Sequence, residues 1–310
     1  MNEKVKGYIL GIISAATYGM NPLFTLPLYE RGMNPDSVLF LRYLLAIPIV
    51  GIMLKARGRS LKLRKNEILP LIVMGFIMAF SSLALFQSYN YMDSGIASTI
   101  LFVYPILVAI FMAIFFKEKI TLQSVLCILL TMGGIALLYR GDNGVPLSTT
   151  GLAWVFMASL AYAIYIVGIN RPRFTGIATL KVTFYVLLFG VFLFFFRISY
   201  NNDFIIINEW EVWLNIIALA IFPTAISFLC TTSAVKYIGS TPTAILGALE
   251  PVTALILGVT IFKETMTPTL ILGVIMIITA VTVIIAGNSI SSQLIRLRKL
   301  FPKIIHRGRK

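Results

Sequence analysis

Charge is scarce in this chain. Asp, Glu, Lys and Arg together make up 12% of its 310 residues, about half the share usual in soluble domains. Acid is the scarcer sign, with 12 Asp and Glu against 26 Lys and Arg. Histidine is reduced to one, His306, and cysteine to two, Cys127 and Cys230. A single histidine in a basic C-terminal stretch argues against a His-based metal site and against Ser–His nucleophilic chemistry. The two cysteines lie inside apolar runs, fit no metal spacing and read as packed thiols. No Walker-type phosphate loop is visible, so direct drive by ATP is not expected. No cofactor is expected.

What the chain has in excess is apolar sequence: 58% of residues are hydrophobic, and the mean hydropathy is +0.92. A bilayer has a use for this, because a spanning helix needs about 20 mostly apolar residues. Apolar runs fall near 6–28, 37–54, 68–91, 95–116, 121–139, 151–169, 178–197, 212–235, 240–262 and 268–287. They are too long for barrel strands of about 10 residues. Ten transmembrane helices are predicted, joined by short loops. The first run follows Lys4 and Lys6 as in a signal peptide. It is too long for a signal core and lacks a small-residue cleavage site, so it reads as a retained span.

The net charge of +14 raises the question of nucleic acid. The basic residues, however, cluster between apolar runs, and the aromatics lie inside those runs. Membrane topology explains this pattern, and nucleic acid is not expected as a partner. With a cytoplasmic N-terminus, 21 of the 26 Lys and Arg fall inside. Four (Arg31, Arg140, Arg197 and Lys263) fall outside, and Arg42 lies within a helix. This asymmetry predicts an even number of spans with both termini cytoplasmic, in a multi-pass protein of the cell (inner) membrane.

The chain also repeats. Tyr91-Met92-Asp93-Ser94, Val103-Tyr104-Pro105 and Phe116-Lys117-Glu118-Lys119-Ile120-Thr121 recur at an offset of 146. Their counterparts are Tyr237-Ile238-Gly239-Ser240, Leu249-Glu250-Pro251 and Phe262-Lys263-Glu264-Thr265-Met266-Thr267. Gly7 and Tyr18 pair more weakly with Gly151 and Tyr162. Each copy spans five times. Five is odd, so the second copy is inverted. The predicted fold is an all-α membrane protein of two inverted five-helix repeats, over 7–140 and 151–287, with a basic tail over 288–310. Leu294, Leu297 and Phe301 alternate with basic residues there, which suits an amphipathic helix on the anionic inner leaflet.

The elements Ser94-Gly95-Ile96-Ala97-Ser98-Thr99, Tyr104-Pro105 and Lys117-Glu118 occur in one copy. Ser240-Thr241-Pro242-Thr243-Ala244, Glu250-Pro251 and Lys263-Glu264 occur in the other. Together they resemble the paired EamA repeats of the drug/metabolite transporter superfamily, over nearly the whole chain. The resemblance implies a ten-helix carrier with a central cavity and alternating access, and export is common among its bacterial members. The chain departs from the pattern at Tyr18-Gly19, where many members have Trp-Gly.

Inverted repeats place a substrate site near the midplane, where the repeats meet. Glu250 sits ~16 Å into its helix at 1.5 Å per residue, roughly halfway through a ~30 Å core. Its mate is Tyr104. A carboxylate at that depth either binds a substrate amine, carries a coupling proton, or anchors backbone freed by Pro251. Pro105, Pro251 and Pro22 are expected to kink their helices, and Tyr104 and Asn21, each next to one of these prolines, are candidate substrate-binding or coupling residues. Arg42 either meets a substrate carboxylate, pairs with an acid near the outer surface, or snorkels outward. The third and eighth helices are polar. Gln87 and Ser88 in the third, and Ser227 and Thr231 in the eighth, either line a cavity or bond between helices. Tyr18, Tyr162 and Tyr165 are candidate aromatic walls. Gly133-Gly134 marks a close packing seam, within one chain or in a homodimer.

The expected function is secondary transport of a small metabolite such as an amino acid or a related compound. Export is the expected direction, and proton coupling through Glu250 is one expected mechanism. A flippase for a lipid or lipid-linked substrate is the alternative. A membrane enzyme would need clustered His, Asp or Cys near one surface. A receptor would need a soluble domain, and the loops are too short to hold one.

Overall fold

The computed structural model describes residues 2–92, 97, 100–118, 121–138, 148–201, 203–261, 268, 269, 271–280, 282 and 283. The basic tail 288–310, the Lys263-Glu264 pair, and Ser94, Gly95, Ile96, Ser98 and Thr99 lie outside the described residues. Among the described residues there are helices and no strands.

Local sequence sets most helix starts. Asn2 accepts from the Lys4 N–H and opens α1, Glu3–Tyr18. After a break at Gly19–Met20, α2 covers Asn21–Glu30. Asn34 caps α3, Pro35–Ala56, by accepting from the Ser37 N–H at 2.8 Å. A cap side chain supplies an acceptor for an N–H that has no partner in the first turn. α4 is Lys65–Ser88, α5 Tyr104–Phe116 and α6 Leu122–Leu138. Ser148 caps α7, Thr149–Ile169. A short α8, Pro172–Thr175, leads to α9, Thr179–Asn201. α10, Trp210–Leu219, runs into a π-helical turn at Ala220–Ile226 and continues as α11, Ser227–Ile238. Then follow α12, Ser240–Leu246, α13, Leu249–Ile261, and α14, Ile271–Ala280.

Among the described residues, six segments are long and apolar enough to cross a bilayer: Glu3–Glu30, Pro35–Ala56, Lys65–Ser88, Thr149–Ile169, Thr179–Asn201 and Trp210–Ile238. At 1.5 Å per residue each exceeds the ~30 Å of a hydrocarbon core. The apolar helices α5, α6 and α14 are shorter.

The runs 6–28, 95–116 and 240–262 were expected as continuous helices, with Pro22, Pro105 and Pro251 as kinks. The structure corrects this. Each run is interrupted, at Gly19–Met20, at Phe102–Val103 and at Gly247–Ala248. Each proline lies in the first turn of the helix that follows. Proline is at home there, because a first-turn N–H has no intrahelical partner to lose.

The two halves of the chain interleave. α1 packs along α11 and α4 along α7. Equivalent residues make equivalent contacts across these seams. A Cβ on Gly7 would meet Tyr237 and Ile238, and one on Gly151 would meet Tyr91 and Met92. Ser227 donates to the Ser14 carbonyl at 3.1 Å, and Ser81 donates to the Ala158 carbonyl at 2.9 Å. Small residues and hydroxyls are what hold helices together in lipid, where apolar burial discriminates little. α3 packs on α9. Asp36 and Arg197 join these two helices at one end with two hydrogen bonds of 2.7 and 3.1 Å. At the far end Lys181 of α9 meets Glu67 of α4 at 3.3 Å. The Gly133-Gly134 seam is filled within the chain: a Cβ on Gly134 would meet the Gly273 carbonyl and Ile277 of α14.

Candidate functional site

The three helix breaks converge on one internal cavity. Tyr18, Gly19, Asn21 and Pro22 line it from the first break, Leu101 and Phe102 from the second, and Glu250 and Pro251 from just after the third. Leu85 and Tyr89 complete it from the end of α4. Non-helical backbone at membrane depth is tolerated where protein buries it or where it lines a cavity. Gly19 makes the convergence possible. A Cβ there would run into the Glu250 carbonyl and lie 3.0 Å from Thr253 Cβ.

Glu250 lies in the first turn of α13, where the helix dipole favours negative charge. Its backbone N–H donates to the Gly247 carbonyl at 2.8 Å, bridging the break. Among the described residues its carboxylate makes no ion pair or hydrogen bond, so the anchoring role considered for it finds no partner there.

Arg42 does not snorkel. It is 0% exposed and makes three hydrogen bonds. Nε donates to Thr224 Oγ1 at 2.6 Å, Nη1 to Asn21 Oδ1 at 2.9 Å and Nη2 to the Pro223 carbonyl at 3.2 Å. Its guanidinium also lies 5.4 Å from the centre of the Phe86 ring. Two of the three acceptors come from the π-helical turn. Such turns redirect backbone groups and recur at functional sites. Among the described residues no carboxylate pairs with Arg42, so its acceptors are neutral groups.

Asn21 connects Arg42 to the cavity. It is 2% exposed, its Oδ1 is held by Arg42, and among the described residues its Nδ2 has no partner. A buried amide donor without a partner is unfavourable by about 1–3 kcal/mol. A ligand acceptor in the cavity would remove that penalty.

The other expected residues divide between walls and scaffolding. Tyr162 stands behind the cavity, stacked on Tyr18 with ring centres 6.3 Å apart and edge-on to Tyr104 at 4.8 Å. Tyr165 extends the stack, 6.5 Å from Tyr162, and meets Thr232 Oγ1 at 3.3 Å. The Tyr104 hydroxyl is already committed, donating to the Ala244 carbonyl at 3.1 Å. Ser227 and Thr231 bond to Ser14 across the α1–α11 seam. Ser88 donates to the Leu85 carbonyl at 2.6 Å, and Gln87 accepts from Asn90 at 3.3 Å. Ser227 and Thr231 thus bond between helices, whereas the bonds of Ser88 and Gln87 stay local to the end of α4, and none of the four lines this cavity.

Sequence reasoning missed Leu85, Leu101 and Phe102 as lining residues, and Thr224 and Pro223 as the partners of Arg42. Tyr89 belongs to the polar end of the third apolar run, whose polarity pointed to a cavity lining, and it lines the cavity. The apolar lining residues carried no such signal.

Together, membrane-length helices, paired seams and a mostly apolar cavity that holds Glu250 and Asn21 at three helix breaks define a membrane protein that is helical among the described residues and has an internal site. The fold is shared with a solved crystal structure at a TM-score of 0.78 and 19% sequence identity, covering 89% of this chain and 95% of that one. The model of the EamA-like transporter family matches residues 5–140 and 149–286, and the chain belongs to this family. It is similar to the uncharacterized transporter YxxF of Bacillus subtilis (strain 168), with 25% identity over 89% of this chain and 88% of the relative. An uncharacterized transporter of Archaeoglobus fulgidus is 26% identical over 88% of this chain and 93% of the relative.

Proposed function

We propose that the chain is a secondary transporter of a small metabolite that carries an amine and an acceptor group, such as an amino acid. It works by alternating access between two inverted five-helix repeats. The observation that carries this reading is the pairing, in one cavity, of the Glu250 carboxylate with the unpartnered Asn21 Nδ2. An ammonium group on Glu250 and a carboxylate on Asn21 would complete both. Arg42, by holding Asn21 Oδ1, fixes which end of the amide faces the ligand. In this conformation the cavity has room for about 30 Å³, space for a few waters at most and far below the ~300 Å³ or more of a small-molecule pocket. Loading a metabolite therefore requires the repeats to move apart, as alternating access supposes.

A ten-span topology with both termini cytoplasmic agrees with the positive-inside count. A wide polar recess of about 810 Å³, lined by Glu3, Lys6, Arg57, Arg59 and Lys236, opens beside the N-terminal end of α1 and is separate from the Glu250 cavity in this conformation. These residues belong to the side that the charge rule places in the cytoplasm. Loading from there and release opposite is export, with a proton on Glu250 as the coupling ion. A flippase would need its cavity to open sideways into lipid. Neither the lateral crevice between α4, α5 and α7 nor the polar recess shares a lining residue with the Glu250 cavity, so the side to which that cavity opens on loading is what separates the two readings.

Purified protein in liposomes, given a panel of amino acids and related amines under an imposed pH gradient, should show saturable uptake that the gradient accelerates. Folded protein that is silent across the panel would overturn the reading.

A further inference from the structure

A second site lies on the flank of the molecule, away from Glu250. Between α4, α5 and α7 runs a crevice of about 910 Å³. Its walls are apolar: Leu69 is 68% exposed, Phe115 60% and Val73 42%. At one end it meets a second cavity of about 740 Å³ lined by Arg64, Lys65 and Glu67. The two share Leu69, Pro70, Pro172 and Arg173, so they form one continuous recess, apolar along its length and basic at its end.

The basic end is not neutralised. Its acid, Glu67, is engaged by Lys181 and by the Arg64 backbone N–H. Among the described residues Arg64, Lys65, Arg171 and Arg173 make no ion pair. Arg171 is positioned over the Phe116 ring at 4.8 Å, at the crevice mouth. Arginine forks match phosphate oxygens in two-point geometry. Basic pockets between spanning helices at a membrane surface take anionic lipid headgroups.

We infer that this recess binds one anionic phospholipid, with its phosphate among Arg64, Arg171 and Arg173 and an acyl chain along Leu69, Val73 and Phe115. Charge complementarity selects the head, and the adjoining apolar walls require a chain. A soluble phosphate compound would satisfy only half of the recess.

The test reconstitutes the full chain in phosphatidylcholine nanodiscs, with and without added phosphatidylglycerol, and reads the melting midpoint. Phosphatidylglycerol should raise it by about 5 °C, the scale expected of a ligand well above its dissociation constant. The double variant Arg64→Gln, Arg173→Gln should lose most of that rise. So should Val73→Trp, which fills the crevice and leaves every charge in place. Glycerol phosphate alone should give no rise. The inference is overturned if either variant keeps the full rise, which would place the lipid effect elsewhere on the basic surface. It is also overturned if glycerol phosphate reproduces the rise, since the recess would then be a plain anion site.

Discussion

Arg42→Lys is expected to lower substrate uptake at least tenfold and to reduce stability by about 3 kcal/mol, although it keeps the charge. Three acceptors lie around a planar fork: Thr224 Oγ1, Asn21 Oδ1 and the Pro223 carbonyl. A lysine ammonium is a single point on a flexible stem and cannot reach all three. Thr224 Oγ1 keeps its own bond to the Leu219 carbonyl, but Asn21 Oδ1 or the Pro223 carbonyl is left buried, and a buried unsatisfied group is unfavourable by about 1–3 kcal/mol. The ammonium is also more strongly hydrated than a guanidinium, and residue 42 is out of reach of solvent. The uptake loss follows from Asn21. Without a donor on Oδ1 the amide is free to turn, and its Nδ2 no longer presents to the cavity. Thermal unfolding of the variant in the same lipid should show a midpoint about 6–12 °C lower. Wild-type uptake and midpoint in Arg42→Lys would mean that a point charge is enough and that the fork geometry has no role.

Gly247→Ala is expected to be more damaging than one methyl group suggests, because its Cβ would occupy the position of the Tyr104 hydroxyl. The same Cβ would lie 3.0 Å from Tyr104 Cζ and 3.1 Å from the Ala244 carbonyl. Tyr104 cannot swing aside. It is 1% exposed, packed edge-on against Tyr162 at 4.8 Å and Phe102 at 5.2 Å. Overpacking of this kind is unfavourable by about 1–3 kcal/mol. Tyr104→Phe removes the oxygen that is struck and forfeits one hydrogen bond, about 1 kcal/mol. The double variant should therefore be more stable than Gly247→Ala alone, an inversion that only residues in direct contact produce. If Tyr104→Phe instead adds its own loss to that of Gly247→Ala, the close approach of the two helix breaks is wrong.

The sequence carried the seams of this fold better than its interruptions. Gly7 and Gly151, Tyr237 and Tyr91 were related by repeat offsets before any contact was known, and the structure pairs them across equivalent seams. Hydrophobic length located the long helices, since length is what a bilayer selects. The breaks were harder. Pro105 and Pro251 were visible, but a proline in a long apolar run is compatible both with a kink and with a fresh helix start. The choice depends on the residues before it, at Phe102–Val103 and Gly247–Ala248. Arg42 shows the limit most clearly. Its charge inside an apolar run was plain, and its partners Thr224 and Pro223 lie more than 180 residues along the chain. No local pattern announces that a π-helical turn will deliver them. Glu250 was legible from its depth and its repeat relation to Tyr104, and Asn21 as a candidate beside Pro22. That the two share a cavity follows from the meeting of three breaks, which is a tertiary fact.

The most direct test of the transport reading is Glu250→Gln in liposomes, measured beside the wild type across a range of pH gradients. Gln keeps the shape of the side chain and removes its charge and its titratable proton. The expected result is a folded variant with its unfolding midpoint preserved, a large loss of affinity for amine-bearing substrates, and residual uptake that no longer responds to the gradient. Uptake by the variant at wild-type affinity with unchanged pH dependence would contradict the assignment of Glu250 to both substrate and proton.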